Sequence, residues 1–158
     1  ELNVTSDESS FISRVCNGDV TFAIELSIDF QKRKENIKLL IDLMINYDIN
    51  KWGKFSSNLK DKKEFQVLLK LFMIFLIDVI NYKENQETNQ LRCNFSLNEI
   101  KTFSERYKVN VIYQCIDIIN NIKGNISKNI FMPLLITTFY IEIFQALNKK
   151  LKNNQIQN

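Results

Sequence analysis

The sequence predicts an all-α fold, a helical bundle of about five longer helices preceded by two short ones. Three glycines and one proline in 158 residues leave few turn makers, which argues against a β-sandwich. A hydrophobic content of 45%, with twelve phenylalanines, is enough to bury a sizeable core. Apolar residues recur at helical spacing along most of the chain, and no stretch alternates as a strand does.

Two short helices are predicted at the start of the chain. The sequence TSDE at residues 5–8 has the form of a capping box, in which the outer two side chains bond to backbone N–H groups. The helix that it begins is expected to end at Asn17-Gly18, because glycine commonly follows a helix. Asp19 is suited to cap a second helix, whose apolar residues are Val20, Ala23, Ile24 and Leu26.

A third helix is predicted from Phe30 to Tyr47. Its apolar residues share one side and its charged residues the other, so we expect a surface helix with one buried stripe. The stripe is Ile37, Leu40, Ile41 and Met44, and the charged face is Lys32, Arg33, Lys34, Glu35, Lys38 and Asp42. After a break at residues 48–50, residues 51–60 are predicted to form a short helix or helical turn.

The next predicted helix, about Asp61 to Tyr82, is apolar nearly all round. Such a helix is either the centre of its own domain or covered by a partner. Its longest apolar run, residues 67–80, contains Lys70 and Asp78 and is shorter than the roughly twenty residues that a bilayer span needs. We therefore expect a core helix and no membrane span.

Three more helices are predicted in the second half of the chain. The sequence SLNE at residues 96–99 is a second capping box. Asn110 is suited to cap the following helix, which is expected to end at Gly124. The last helix is predicted over about residues 127–147, with Pro133 tolerated within its first turns.

No catalytic, metal or cofactor site is predicted. The chain has no histidine, and its three cysteines (Cys16, Cys93 and Cys115) form no C-x-x-C pair, so we expect buried reduced thiols. Each glycine is isolated, so there is no phosphate-binding loop. The carboxylate pairs Glu35/Asp42 and Glu64/Asp78 lack a partner base and are interpreted as solvated, although Asp78 is expected to be partly buried.

A lysine cluster with aromatic neighbours is a candidate for contact with DNA. The lysines are Lys51, Lys54 and Lys60, followed by Lys62 and Lys63, with Trp52 and Phe55 between them. Asp61 and Glu64 dilute the positive charge, and the net charge of the chain is only +3.

The segment SFISRVCNGDVTFAIELSI, residues 10–28, resembles the end of the lid domain in clamp-loader AAA+ subunits. Their motif is of the type G-x-x-R-x-A-L, and here Gly18, Ala23 and Ile24 occupy its Gly, Ala and Leu positions. The chain begins at Glu1 rather than Met, and we interpret it as part of a longer protein.

The remainder resembles the collar domain of the bacterial clamp-loader family. The segment DKKEFQVLLKLFMIFLIDVIN is similar to the long buried collar helix. The segment VIYQCIDIINNIKGNISKNIFMPLLITTFYIEIF is similar to the closing helix pair, with Asn129 in its loop. The resemblance implies the end of a lid domain at residues 1–28, a collar at 29–148 and a polar tail at 149–158.

The resemblance implies a place in a clamp loader without ATPase chemistry in this segment. Thr21 stands where ATP-hydrolysing subunits carry the sensor-2 arginine, which fits the delta-prime branch of the family better than gamma/tau. Its implied partners are gamma/tau and delta subunits, and indirectly a sliding clamp and primer-template DNA. The implied setting is the bacterial cytoplasm, in a DNA polymerase III complex whose other subunits hydrolyse ATP.

Six large apolar residues are the candidates for contact with neighbouring subunits: Phe72, Phe75, Leu76, Phe139, Ile143 and Phe144. They lie on the two helices that carry more apolar surface than one small bundle is expected to bury. Two alternatives stay open: a collar of a gamma/tau subunit, or a stand-alone helical interaction module, for example of a virus, with a groove for a partner helix. The lid-like segment favours a loader subunit, since a groove-forming bundle has no need of it.

Overall fold

The computed structural model describes residues 5–59, 61–85, 88, 91–93, 96–128 and 130–153. All regular structure in these ranges is helical, which confirms the all-α prediction. The α-helices are α1 (Ser6–Cys16), α2 (Val20–Ser27), α3 (Phe30–Asn46), α4 (Trp52–Asn58), α5 (Lys62–Asn85), α6 (Leu97–Arg106), α7 (Val109–Ile126) and α8 (Met132–Asn153). One turn of 3-10 helix, Ile49–Lys51, precedes α4.

Helices α1 and α2 form a hairpin. The start and end of α1 and the start of α2 are those that the sequence predicts. Thr5 accepts a hydrogen bond from the N–H of Glu8, and the Glu8 carboxylate accepts one from the N–H of Thr5. Asn17 and Gly18 turn the chain with φ values of 45° and 89°. Asp19 then accepts a hydrogen bond from the N–H of Phe22 and caps α2.

The α1–α2 hairpin is packed on the bundle by apolar and charged contacts. The Phe11 and Phe30 rings, on α1 and α3, lie 5.5 Å apart. Lys70 of α5 places its ammonium 4.5 Å from the ring centroid of Phe22 and 4.0 Å from the Glu25 carboxylate. Both α2 residues are therefore tied to the central helix of the bundle.

Helix α5 is the centre of the domain, as the first of the two sequence interpretations has it. Its Phe65 and Phe72 rings contact Phe139 of α8, with centroids 5.6 and 6.2 Å apart. On another side, Phe75 meets Phe103 of α6 at 5.1 Å. Among the described residues α5 also has the length and composition of a membrane span, but 61% of that apolar window is buried in the bundle.

The ends of α7 and α8 differ from the sequence prediction. Helix α7 passes through Gly124 and ends at Ile126, because Ile126 is buried in the core and Gly124 does not adopt a positive φ. It begins at Val109 with Lys108 in the capping position, so Asn110 lies inside the helix. Helix α8 begins at Met132 rather than near residue 127, which puts Pro133 in the first turn, where a missing N–H costs no helical bond.

The second capping box also differs from its prediction. Helix α6 begins after Ser96, as expected, but the Ser96 side chain makes no capping hydrogen bond. Ser96 is fully buried, and its hydroxyl has no hydrogen-bond partner among the described residues. The sequence pattern indicates an exposed capping residue, whereas in the structure Ser96 is buried and does not cap the helix.

Alanine substitutions at Gly18, in a turn, and at Gly124, in a helix, should have opposite effects on the stability of the fold. A Cβ at either position meets nothing within 4 Å, so the backbone alone decides the outcome. We expect Gly18→Ala to lower the free energy of unfolding by about 1–2 kcal/mol, because its φ is positive. Gly124→Ala is expected to raise it by about 0.5–1 kcal/mol, as in a helix interior. Urea unfolding measures both, and a destabilised Gly124→Ala would mean that α7 ends there.

Candidate interaction surfaces

The residues of the lid-like motif all lie on the turn before α2 or on α2 itself. Gly18 is in the turn, Ala23 is half-buried, and Ile24 is exposed. Thr21 is exposed in the first turn of α2 and carries no charge with which to bind a phosphate. Val20 and Ile24, four residues apart, form an exposed apolar face of this helix, and Ile28, just after its end, is also exposed.

Five of the six candidate contact residues lie in the core of the chain itself. Phe72, Phe75, Leu76, Phe139 and Ile143 are fully buried, and Phe144 is partly buried. Phe144 packs against Tyr47, with ring centroids 5.3 Å apart, and against Tyr140 at 6.0 Å. This placement corrects the expectation that these residues face a neighbouring subunit: α3, α4, α6 and α7 together bury more of α5 and α8 than the sequence pattern suggested.

A different set of residues on α8 and just before it faces solvent. Phe131, Leu134 and Ile141 are 73%, 60% and 45% exposed, and Thr138 between them is half-buried. Spacings of three and four residues put these four side chains on one side of the helix. We call this set the α8 strip. In the sequence, these residues are apolar positions outside the main apolar stripe of the helix. The spacing of apolar residues alone does not distinguish such exposed positions from core positions.

A groove between α7 and α8 runs beside the C-terminal end of the α8 strip. Its volume is about 380 Å³, and it is lined by Gln114, Asp117, Ile118, Glu142, Gln145 and Ala146. Asp117 and Glu142 are exposed carboxylates, one on each helix. The groove therefore combines apolar walls with negative charge. Asn129, which the collar resemblance places in the loop between these helices, lies outside the described residues.

One lysine of the cluster, Lys51, is already paired with acids. The Lys51 ammonium contacts the Asp42 carboxylate and lies 3.9 Å from that of Asp48, and the hydrogen bond to Asp42 raises the Lys51 pKa. Lys54 is exposed on α4, whereas Lys60 lies outside the described residues. DNA contact by these lysines stays a prediction, with the Lys51 charge already paired.

Helix α3 is less exposed than its charged face predicts, because Arg33 is buried. Only 4% of Arg33 is exposed, and its guanidinium donates to the Glu64 carboxylate of α5 at 2.6 Å. Asn36, one turn further on, is also buried and accepts a hydrogen bond from the Asn58 side chain at 2.9 Å. Glu64 is therefore the partner of a buried cation, not the solvated residue that the sequence indicates.

Removal of Glu64 should be more harmful than removal of the whole ion pair. Glu64→Leu leaves the buried Arg33 charge without its partner, and we expect a loss of about 3–5 kcal/mol in unfolding free energy. The double variant Arg33→Met/Glu64→Leu removes both charges and should recover much of that loss. Urea unfolding of both single variants and the double variant gives the coupling energy. A double variant that loses the sum of the single effects would contradict the ion pair.

Asp78 is a buried carboxylate that holds the segment before α6 against α5. It is 1% exposed, and its Oδ2 accepts a hydrogen bond from the N–H of Cys93 at 2.6 Å. Burial raises the pKa of Asp78, and the backbone N–H groups of Cys93 and Arg92 oppose that shift. Asp78 is thus more completely buried than the partial burial that the sequence predicts, and it has a structural hydrogen bond rather than an acid–base partner.

The raised pKa of Asp78 predicts how stability responds to pH. Because the folded state binds this proton more tightly than the unfolded state, protonation of Asp78 stabilises the fold. The unfolding free energy of wild type minus that of Asp78→Asn should therefore rise as pH falls from neutral, and level off below the ordinary value of 3.8. Urea unfolding across this pH range measures the difference, and a decrease on acidification would refute the assignment.

The described residues offer no reactive thiol and no metal-binding cluster. All three cysteines are buried and unpaired, and burial raises the pKa of Cys16 to about 11 and that of Cys115 to about 12. Burial also raises the pKa of Cys93. No group of three His, Cys, Asp or Glu residues in the described ranges is arranged to hold a metal ion.

Comparison with known proteins gives one family. A family model described as DNA polymerase III, delta subunit, C terminal matches residues 29–143. No curated protein matches the chain significantly, and no solved structure does so either. The matched region runs from α3 into α8 and includes the core, the groove and the α8 strip, whereas the α1–α2 hairpin precedes it.

Proposed function

The chain belongs to the family formed by the C-terminal regions of DNA polymerase III delta subunits, and from this premise we propose that it is the collar region through which a clamp-loader protein assembles with its neighbours. Family membership itself gives a clamp-loader-related subunit with a role in DNA replication. The finer proposal is a delta-prime subunit, whose collar holds the loader ring together while a sliding clamp is loaded on primed DNA.

The single observation that carries the assembly role is the α8 strip. Its three exposed apolar residues lie within the family-matched region, Leu134 and Ile141 on α8 and Phe131 just before it. The opposite side of α8 is buried in the core. Exposed apolar residues gathered on one side of a helix are typical of a protein–protein contact. The proposed partners are the gamma/tau and delta subunits, and the contact to sliding clamp and primer-template DNA is indirect.

The delta-prime assignment is supported by the α1–α2 hairpin. Thr21, at the position that corresponds to the sensor-2 arginine, has neither the charge nor the reach to bind nucleotide phosphates. We propose that residues 1–28 are the end of a lid domain that neither binds nor hydrolyses ATP, and that residues 29–148 are the collar. Residues 149–158 are proposed to be a polar tail, into which α8 continues as far as Asn153. A gamma/tau collar remains the alternative, and the family match favours either over a stand-alone interaction module.

The setting that accords with this role is the bacterial cytoplasm, with no membrane partner. The one described helix with the composition of a membrane span, α5, has its large apolar side chains covered by other helices. The proposed region needs no cofactor of its own, since assembly requires only complementary surfaces.

Aspartate substitutions on the α8 strip should block assembly and leave the fold intact. We expect Leu134→Asp/Ile141→Asp to weaken co-purification with cognate gamma/tau and delta subunits by at least about tenfold, because a buried unpaired charge is costly in an apolar contact. Thermal unfolding should change little, since exposed positions tolerate substitution. The matched control is Ile49→Asp, which alters an exposed apolar residue that is not on α8.

The same experiment separates the surface from the core. Phe72→Asp and Phe139→Asp should unfold the domain, because both rings are fully buried. If the folded α8 variant assembled as wild type does, or wild type ignored its cognate subunits, the assembly role would be refuted.

A further inference from the structure

The groove between α7 and α8 has a charge that the apolar α8 strip lacks. Asp117 projects from α7 and Glu142 from α8, and both line the same concavity. Neither carboxylate has a cationic partner among the described residues, although Lys51, Lys70 and Arg33 elsewhere are all paired with acids. The negative charge of the groove is therefore available to a ligand.

The apolar and acidic parts follow one another along α8. Leu134 and Ile141, two turns apart, are separated by about 10 Å along the helix axis. Glu142 and Gln145 continue the same side of the helix into the groove, where Ile118 of α7 supplies an apolar wall. A ligand that covers this surface must be apolar over about two turns and positively charged at one end.

An α-helix has the shape that fits this surface. Helix α8 follows α7 closely in the sequence and packs along it, and the furrow between two such helices receives the ridge of a third. A nucleic-acid backbone does not fit, because Asp117 and Glu142 would repel its phosphates. The volume of about 380 Å³ accommodates a few side chains, not a folded domain.

We propose that the α8 strip and the α7–α8 groove together receive an amphipathic helix of a neighbouring clamp-loader protein, whose apolar stripe ends in a lysine or arginine. The apolar stripe covers Leu134 and Ile141, and the basic residue lies between Asp117 and Glu142. This proposal deepens the assembly role described above and rests on it. In this proposal the two carboxylates determine which partner binds and in which register the partner helix lies along α8. Charge complementarity contributes to specificity more than to affinity.

The test measures association of the full chain with its cognate gamma/tau and delta subunits over a range of salt concentrations. Asp117→Lys/Glu142→Lys should weaken association about tenfold or more, because like charges then face each other. Asp117→Asn/Glu142→Gln should weaken it less and flatten its dependence on salt. The matched control is Glu105→Lys, which reverses an exposed acid on α6 and should leave both quantities unchanged.

Charge reversal in the partner completes the test. A lysine or arginine to glutamate change at the end of the partner's apolar stripe should restore binding to Asp117→Lys/Glu142→Lys. If both groove variants bind with wild-type affinity and salt dependence while Leu134→Asp/Ile141→Asp does not bind, the basic partner is refuted and the assembly role stands. If wild type binds neither gamma/tau nor delta, the assembly role is refuted, and the groove assignment with it.

Discussion

The burial of α5 on nearly all sides is the constraint on which the rest of the structure depends. A helix that carries apolar residues nearly all round is stable in water only when other helices cover every face. Ring contacts trace that cover: Phe65 and Phe72 meet α8, and Phe75 meets α6. The path continues through Phe103 and Tyr107 to Tyr47 at the end of α3. One aromatic network thus joins helices that are distant in sequence.

Because the other helices must cover α5, only their outer sides remain exposed for contact with partners. Phe139 of α8 packs against α5 and Ile143 is fully buried, so only the opposite side of α8, with Leu134 and Ile141, faces solvent. Buried polar groups fix the surrounding helices in place, with Arg33 and Glu64 joining α3 to α5. One side of α8 thus belongs to the core, and the other side is free for assembly, so that assembly does not disturb the core.

Local signals predicted the start of the chain well, because its helix ends depend on neighbours in sequence. The Thr5 capping box and the turn at Gly18 are of this kind. Tertiary packing overrode local signals elsewhere: buried Ile126 carries α7 past Gly124, and the choice between core and surface on α8 depends on which helices cover it. The burial of Arg33 likewise depends on Glu64, thirty-one positions away in the sequence.

The central claim, that the α8 strip is covered by a neighbouring loader protein, is tested most directly by the reactivity of a thiol placed on it. The native cysteines are buried, so Ile141→Cys supplies the one readily accessible thiol among the described residues. Its alkylation should slow when cognate gamma/tau and delta subunits are added, while alkylation of Lys101→Cys, exposed on α6, should not change. Equal alkylation of Ile141→Cys in the free chain and in the assembled complex would contradict the claim.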